Sequence, residues 1–120
     1  MSQIKNINGE NNTYINKNMI VSIVSLATKE VSGVLDVYQP KRLFLNRMFD
    51  KNTGKGVRIK YKKDNTIVID IYVTVTTDCE VNDVVYKIQQ NVKNSINSLV
   101  QLKIKSINVY VKDAEKKTSL

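Results

Sequence analysis

The apolar residues between Val81 and Leu99 recur at the spacing of one helix face, and this stripe constrains the fold more than any other feature. Its members are Val81, Val84, Val85, Ile88, Val92, Ile96 and Leu99. A helix with an apolar stripe about five turns long must pack against another layer of structure. The four preceding residues, Thr77 to Glu80, have the pattern of a capping box and predict where this helix begins.

Two alternating runs predict the strands that supply this second layer. Apolar residues alternate with polar ones from Val57 to Tyr61 and again from Ile67 to Val75. A three-residue loop, with Asn65 in the left-handed conformation, keeps both apolar sets on one face. This register places Arg58 opposite Asp70 on the exposed side of the sheet.

The remaining elements follow from shorter patterns. A first helix is predicted over about residues 17–31, where Ile20, Ile23, Val24, Ala27 and Val31 share a face, and Gly33 suits its left-handed end. A short strand follows from Val34 to Tyr38. A last strand turns Ile107, Val109 and Val111 inward, with a bulge near Lys105. The fold class expected is α+β, with two helices on one face of a mixed β-sheet and the order β-α-β-β-β-α-β.

The length of 120 residues suits one domain. We expect a flexible N-terminal segment over residues 1–13, a single α+β domain over residues 14–113 and a charged tail over residues 114–120. The start lacks the pattern of a secretory signal, and no apolar run approaches the roughly 20 residues of a membrane-spanning helix. A single cysteine, Cys79, agrees with a reducing compartment, so a cytoplasmic location is expected.

The residue types argue against catalysis. The chain has no histidine, which removes the commonest general base and every histidine-ligated metal arrangement. Residues 53–56, Thr-Gly-Lys-Gly, lack the earlier glycine and the following Ser or Thr of a phosphate-binding loop. We therefore expect no catalytic residue, no metal site, no cofactor and no enzymatic activity.

Positive charge is concentrated in one part of the chain. The stretch from Lys41 to Lys63 contains nine Lys or Arg residues and one acidic residue, Asp50, so its net charge equals the +8 of the whole chain. Its first part mixes cations with large apolar side chains: Lys41, Arg42, Phe44, Leu45, Arg47, Met48, Phe49 and Lys51. As a helix it would gather the apolar members on one side. Two readings stay open, a lid that folds back on the core and a surface that docks on a protein or an anionic membrane.

A second candidate surface is the sheet face that the helices leave open. Six residues there combine cations with aromatic rings, as single-strand nucleic-acid platforms do: Arg58, Lys60, Lys62, Tyr72, Tyr110 and Lys112. Tyrosine and lysine are also common on exposed strands, so a solvated sheet face is the alternative.

Several short segments, taken in order, resemble the alkaline shock protein family of Gram-positive bacteria, also called the envelope stress response family. They are Glu30–Val34, Gly54–Ile59, Ile69–Val75, Ile88-Gln89 with Val92, and Ile107–Val111. The chain departs from the family pattern in two places: Thr77-Asp78 stands where Tyr-Gly is usual, and Gln101 where a glycine commonly follows the helix.

The resemblance covers about residues 14–113. It implies a cytoplasmic protein that acts at the inner side of the envelope, is held there by other proteins and self-associates. It carries over no catalytic residue. A small basic nucleic-acid-binding regulator is the alternative from a different class.

Overall fold

The computed structural model describes residues 17–37 and 56–116. The elements are α1 (Lys17–Lys29), β1 (Val34–Val37), β2 (Val57–Tyr61), β3 (Thr66–Thr76), α2 (Val81–Leu99) and β4 (Lys103–Glu115). They confirm the predicted α+β class. The strand expected ahead of α1 lies outside the described residues.

The sheet is organised around β3, which pairs with the other three described strands. β4 runs parallel to β3 and pairs with it over the whole of β3, from Thr66 to Thr76. β2 pairs antiparallel with residues 67–71 of β3, and β1 pairs antiparallel with residues 73–75. Because a strand has only two edges and β4 occupies one of them throughout, β1 and β2 lie end to end along the other. The sheet is mixed, as predicted.

The hairpin between β2 and β3 has the predicted register. Arg58 pairs with Asp70, Ile59 with Ile69 and Tyr61 with Ile67, and Asn65 has a φ of 68°. In the turn, Thr66 donates both its hydroxyl and its backbone N–H to Asp64 Oδ1, at 2.5 and 3.2 Å. The hydroxyl hydrogen bond is the main cause that holds the pKa of Asp64 below its ordinary value.

Both helices pack on one face of the sheet and form a single core with it. β3 contributes Ile67, Ile69, Ile71, Val73 and Val75; α1 contributes Ile20, Val21, Val24 and Ala27; α2 contributes Val84, Ile88, Val92 and Ile96. Asn91 links the two helices, because its Nδ2 donates to the Ala27 carbonyl oxygen at 2.6 Å. This contact satisfies one of the carbonyls that the last turn of α1 leaves without a helical partner.

Two features of α2 differ from the prediction. The ends of the stripe are not buried: Val81 is 43% and Leu99 61% exposed. The capping box is also wrong, since α2 begins at Val81 and its N-cap, Glu80, makes no side-chain capping bond. The physical reason is that β3 continues to Thr76, and the backbone N–H of Thr77 donates to the Glu115 carbonyl, so Thr77 belongs to the end of the sheet.

β4 is longer than predicted and contains two irregularities. Its register against β3 skips Lys105, which confirms the predicted bulge, and it skips Lys112 as well. Between these positions Ser106 to Val111 pair regularly with β3. The strand then continues through Ala114 and Glu115, where the sequence predicts a charged tail, and they pair with Val75 and Thr76.

Candidate functional site

The sheet face opposite the helices gathers polar side chains from three neighbouring strands. The register places Arg58 and Lys60 of β2, Asp70 and Tyr72 of β3, and Asn108 and Tyr110 of β4 on this face. This open face is the candidate functional site. The sequence predicted four of these residues as members of it and missed Asp70 and Asn108 as contributors to a site.

A buried polar cluster lies at the centre of the open face. Asp70 is only 3% exposed although none of the described helices covers this face. Its Oδ2 lies 3.1 Å from Lys60 Nζ, and its Oδ1 accepts a hydrogen bond of 2.9 Å from Asn108 Nδ2. One carboxylate therefore ties β2, β3 and β4 together.

This arrangement corrects one part of the sequence prediction. Arg58 and Asp70 are cross-strand neighbours, as expected, but they are not an exposed ion pair, because the carboxylate is buried and pairs with Lys60 instead. The reason is that Asp70 sits in the central strand, where side chains from both neighbouring strands shield it from water. A buried carboxylate needs such partners, since an unpaired one would be costly.

The cluster leads to a stability prediction. Changing Asp70 to Asn is expected to lower the free energy of unfolding by about 1 to 2 kcal/mol, because it removes a charge-assisted contact while keeping the side-chain volume. Urea unfolding measures this. Asp83→Asn is the matched control, since its contact with Lys87 at 2.9 Å is half exposed on both sides and should contribute under about 1 kcal/mol. Equal losses in the two variants would contradict a special role for the buried carboxylate.

The two tyrosines of the open face stack on each other. The ring centroids of Tyr72 and Tyr110 are 4.9 Å apart and the rings lie 19° from parallel. One ring face of each tyrosine is therefore occupied within the chain. The two rings form one aromatic patch with Tyr110 at its exposed side.

The six residues proposed as a nucleic-acid face are only partly brought together. Arg58, Lys60, Tyr72 and Tyr110 share the open face, whereas Lys62 follows the end of β2 and Lys112 is the bulge residue of β4. The charge of Lys60 is matched by Asp70, and Asp113 and Glu115 lie at the far end of β4. The open face is therefore mixed in charge rather than a continuous positive track.

The basic and aromatic segment from Lys41 to Lys51 lies outside the described residues, but the positions where the chain leaves and re-enters the sheet are described. Val37 pairs with Val73, and Val57 pairs with Ile71, two residues along the same strand. Two residues of strand correspond to about 7 Å. Residues 38–56 therefore begin and end at neighbouring points of one sheet edge.

Within the described residues, no group of three or more His, Cys, Asp or Glu side chains is placed to hold a metal ion. None of the described helices is long and apolar enough to cross a membrane. Cys79 is partly buried and lies where the chain turns from β3 into α2.

The described residues thus define an α+β protein whose helices cover one sheet face. Its open face contains a polar cluster that links three strands. The profile of the alkaline shock protein 23 family, described by a cell envelope-related function, matches residues 5–115. The chain belongs to this family, which confirms the resemblance inferred from its sequence.

Relatives of the chain occur in Gram-positive bacteria. Uncharacterized protein YqhY of Bacillus subtilis is 30% identical over 94 residues, which cover 78% of this chain and 69% of that protein. Uncharacterized protein Spy1535 of Streptococcus pyogenes is 29% identical over 98 residues, covering 81% and 74%.

The fold is also similar to solved structures of another protein. One MamM CTD variant aligns with a TM-score of 0.58 at 17% identity, covering 88% of this chain and 90% of that one. At this identity the likeness concerns the fold alone.

Proposed function

We propose that this chain is a non-enzymatic protein of envelope stress response and envelope homeostasis that acts by associating with other proteins at the inner face of the membrane. It resides in the cytoplasm, binds an envelope-associated protein and self-associates. The single observation that carries the proposal is membership of a family with a cell envelope-related function, matched over residues 5–115.

The position of the basic segment supports a role in docking. The described residues that flank this segment, Val37 and Val57, pair with β3 at positions two residues apart on one sheet edge. Segments whose two ends lie close together on a rigid scaffold often carry binding residues. A partner bound to this segment would therefore lie near the sheet edge at Val37 and Val57.

The composition of the segment favours a protein partner over lipid alone. It contains four cations and two phenylalanines between Lys41 and Lys51. Each cation near an anionic leaflet contributes about 1 kcal/mol, so the charges alone give reversible attachment. Phe44 and Phe49 would add apolar contacts of the kind that protein interfaces concentrate at their centres. The membrane surface then strengthens an attachment that a protein anchor provides.

Two sets of substitutions test this proposal. Phe44→Ser with Phe49→Ser removes the apolar contacts, and Arg42→Glu with Arg47→Glu reverses part of the charge. Both are expected to reduce recovery of partner proteins from native membranes by about tenfold or more, as loss of central interface contacts does. Binding to anionic vesicles without protein is expected to be weak in the wild type.

The matched control reverses two cations outside the segment. Lys62→Glu with Lys63→Glu changes the net charge by the same amount at the exposed hairpin turn. It should leave partner recovery near wild type. Circular dichroism confirms that each variant is folded. If the segment variants are folded and recover partners as well as the wild type does, the segment is a structural lid and the docking proposal fails.

The open face supports a second candidate function, binding of single-stranded nucleic acid. Its specific observation is the aromatic patch of Tyr72 and Tyr110 close to Arg58. The acidic partners on this face weaken that candidate. If the open face binds single strands, binding to mixed oligonucleotides should persist at physiological salt, because stacking survives salt that abolishes purely electrostatic binding. The same binding should be weaker in Tyr110→Ala.

A further inference from the structure

The outer edge of β4 is the longest stretch of backbone that the described strands leave without a partner. β4 spans 13 residues, from Lys103 to Glu115, and pairs with β3 on one side only. Such an edge presents a row of N–H and C=O groups that can pair with another strand. Typical strands have about 5 or 6 residues, so this edge is long for a small domain.

The helix-side residues of β4 are also incompletely covered. Ile104, Ile107 and Val109 are only partly buried, and Val111 is 37% exposed. The corresponding residues of β3 are almost fully buried. These side chains would become more buried if the sheet continued beyond β4 with another strand and its covering helices.

We propose that the outer edge of β4 pairs antiparallel with β4 of a second copy of this chain, around a two-fold axis at Val109. This inference rests on the self-association included in the proposed function and gives it a surface. The occupant is a second copy because the charges of β4 are complementary to themselves when the strand is reversed.

The charge pattern selects the register. Paired residues of antiparallel strands project to the same face, so the axis must pass through a residue that pairs with itself. With the axis at Val109, Lys103 lies opposite Glu115 of the second copy and Lys105 lies opposite Asp113. Ile107 then lies opposite Val111, so apolar residues meet at the centre and opposite charges at both ends.

Each neighbouring register keeps only one of the two charge pairs. An axis at Asn108 keeps Lys103 opposite Asp113 but places Lys105 opposite Val111. An axis at Tyr110 keeps Lys105 opposite Glu115 but places Ile107 opposite Asp113. The bulges at Lys105 and Lys112 confine the regular pairing to the residues between them. The charged ends therefore act as steering and selection contacts rather than as part of a continuous ladder.

One existing contact on β4 is compatible with this pairing. Gln89 Nε2 of α2 donates to the Ile107 carbonyl oxygen at 2.9 Å. A carbonyl oxygen has two lone pairs, so it can also accept from a partner strand. The contact joins β4 to α2.

A charge exchange tests the proposal with the full chain. One variant combines Lys103→Glu with Lys105→Glu, and another combines Asp113→Lys with Glu115→Lys. Each alone places like charges opposite each other at both ends of the interface. Sedimentation should show a dimer for the wild type and a dimerisation Kd raised about tenfold or more in each variant. Mixing the two variants should restore the dimer, because every opposed pair again has opposite signs.

Cross-linking tests the position of the axis in a Cys79→Ser background. Val109→Cys places two thiols opposite each other and should form a disulfide-linked dimer. Lys103→Cys is the control, since its two copies would lie about 40 Å apart along the strands. Equal cross-linking in the two variants would overturn the register.

The remaining outcomes separate this inference from the proposed function. A monomeric wild-type chain, or a mixture of charge variants that stays monomeric, overturns the β4 interface. Recovery of envelope proteins is measured on the same samples. If the chain is monomeric but still recovers partners, the β4 interface is wrong and the proposed function stands. If the chain is dimeric but recovers no partner, the interface is supported and the proposed function is contradicted.

Discussion

Replacing Ile88 with Ala is expected to lower the free energy of unfolding by about 2 to 5 kcal/mol. Ile88 lies in the middle of α2 and is fully buried in the core formed with the sheet. The truncation removes apolar contacts and leaves a cavity that the packed surroundings fill only in part. Val92→Ala, one turn later and equally buried, should cost about 1 to 4 kcal/mol.

Leu99→Ala is the matched control for the Ile88 prediction. Leu99 belongs to the same sequence stripe but is mostly exposed, so its truncation should change stability by less than about 0.5 kcal/mol. Urea unfolding with an unchanged m-value measures all three variants. If Leu99→Ala costs as much as Ile88→Ala, the helix face that packs on the sheet has been assigned wrongly.

Replacing Gly33 with Ala is expected to lower the free energy of unfolding by about 2 to 4 kcal/mol, from backbone strain and overpacking together. Gly33 has a φ of 100°, which residues with a side chain rarely adopt. A Cβ at this position would lie 2.8 Å from Val84 Cγ2 and 3.3 Å from Cys79 Cβ. Moving the backbone away would strain the 2.9 Å hydrogen bond that the Gly33 carbonyl accepts from the Thr76 N–H.

A double variant separates the two causes. Adding Val84→Ala to Gly33→Ala removes the close contact with Val84 but keeps the positive φ. The combined loss should therefore be smaller than the sum of the two single losses, and thermal unfolding measures the difference. Ser32→Ala, at the exposed neighbouring position, should be close to neutral. Additive losses would show that the contact with Val84 contributes nothing.

The fold was largely predictable because its elements carry strong periodicity. The parity of the apolar residues in β2 and β3 determines the pairing register, and Asn65 provides the positive φ that the three-residue turn requires. The change of parity between Ile104 and Ile107 likewise revealed the bulge at Lys105. In each case a local sequence rule and the core requirement agree.

The predictions that were wrong share one physical cause: a local sequence pattern contains no information about which elements pack beside it. Alternation placed Asp70 on the open face but could not show that β3 is central, with strands on both sides that shield the carboxylate. The capping pattern at Thr77 ignored competition from the sheet, where the Thr77 N–H bonds to Glu115. Helical spacing likewise indicated a face but not how far the covering layer reaches, hence the exposed Val81 and Leu99.

The candidate sites were predictable to different degrees. Four residues of the open face were assigned from alternation alone, whereas the cluster around Asp70 depends on tertiary pairing across three strands. For Lys41 to Lys51 the prediction rests on sequence alone, and the structure describes only the flanking residues Val37 and Val57, which pair with β3.

Attachment of the chain to the envelope by a protein is tested most directly by rebinding the purified chain to native membrane vesicles whose cytoplasmic face is accessible. The chain should bind these vesicles, lose binding after the vesicles have been treated with protease, and bind poorly to vesicles made from the extracted lipids. That result means that a protein holds it at the envelope. Equal binding to native, protease-treated and lipid-only vesicles, or no binding to native vesicles, would contradict attachment by a protein.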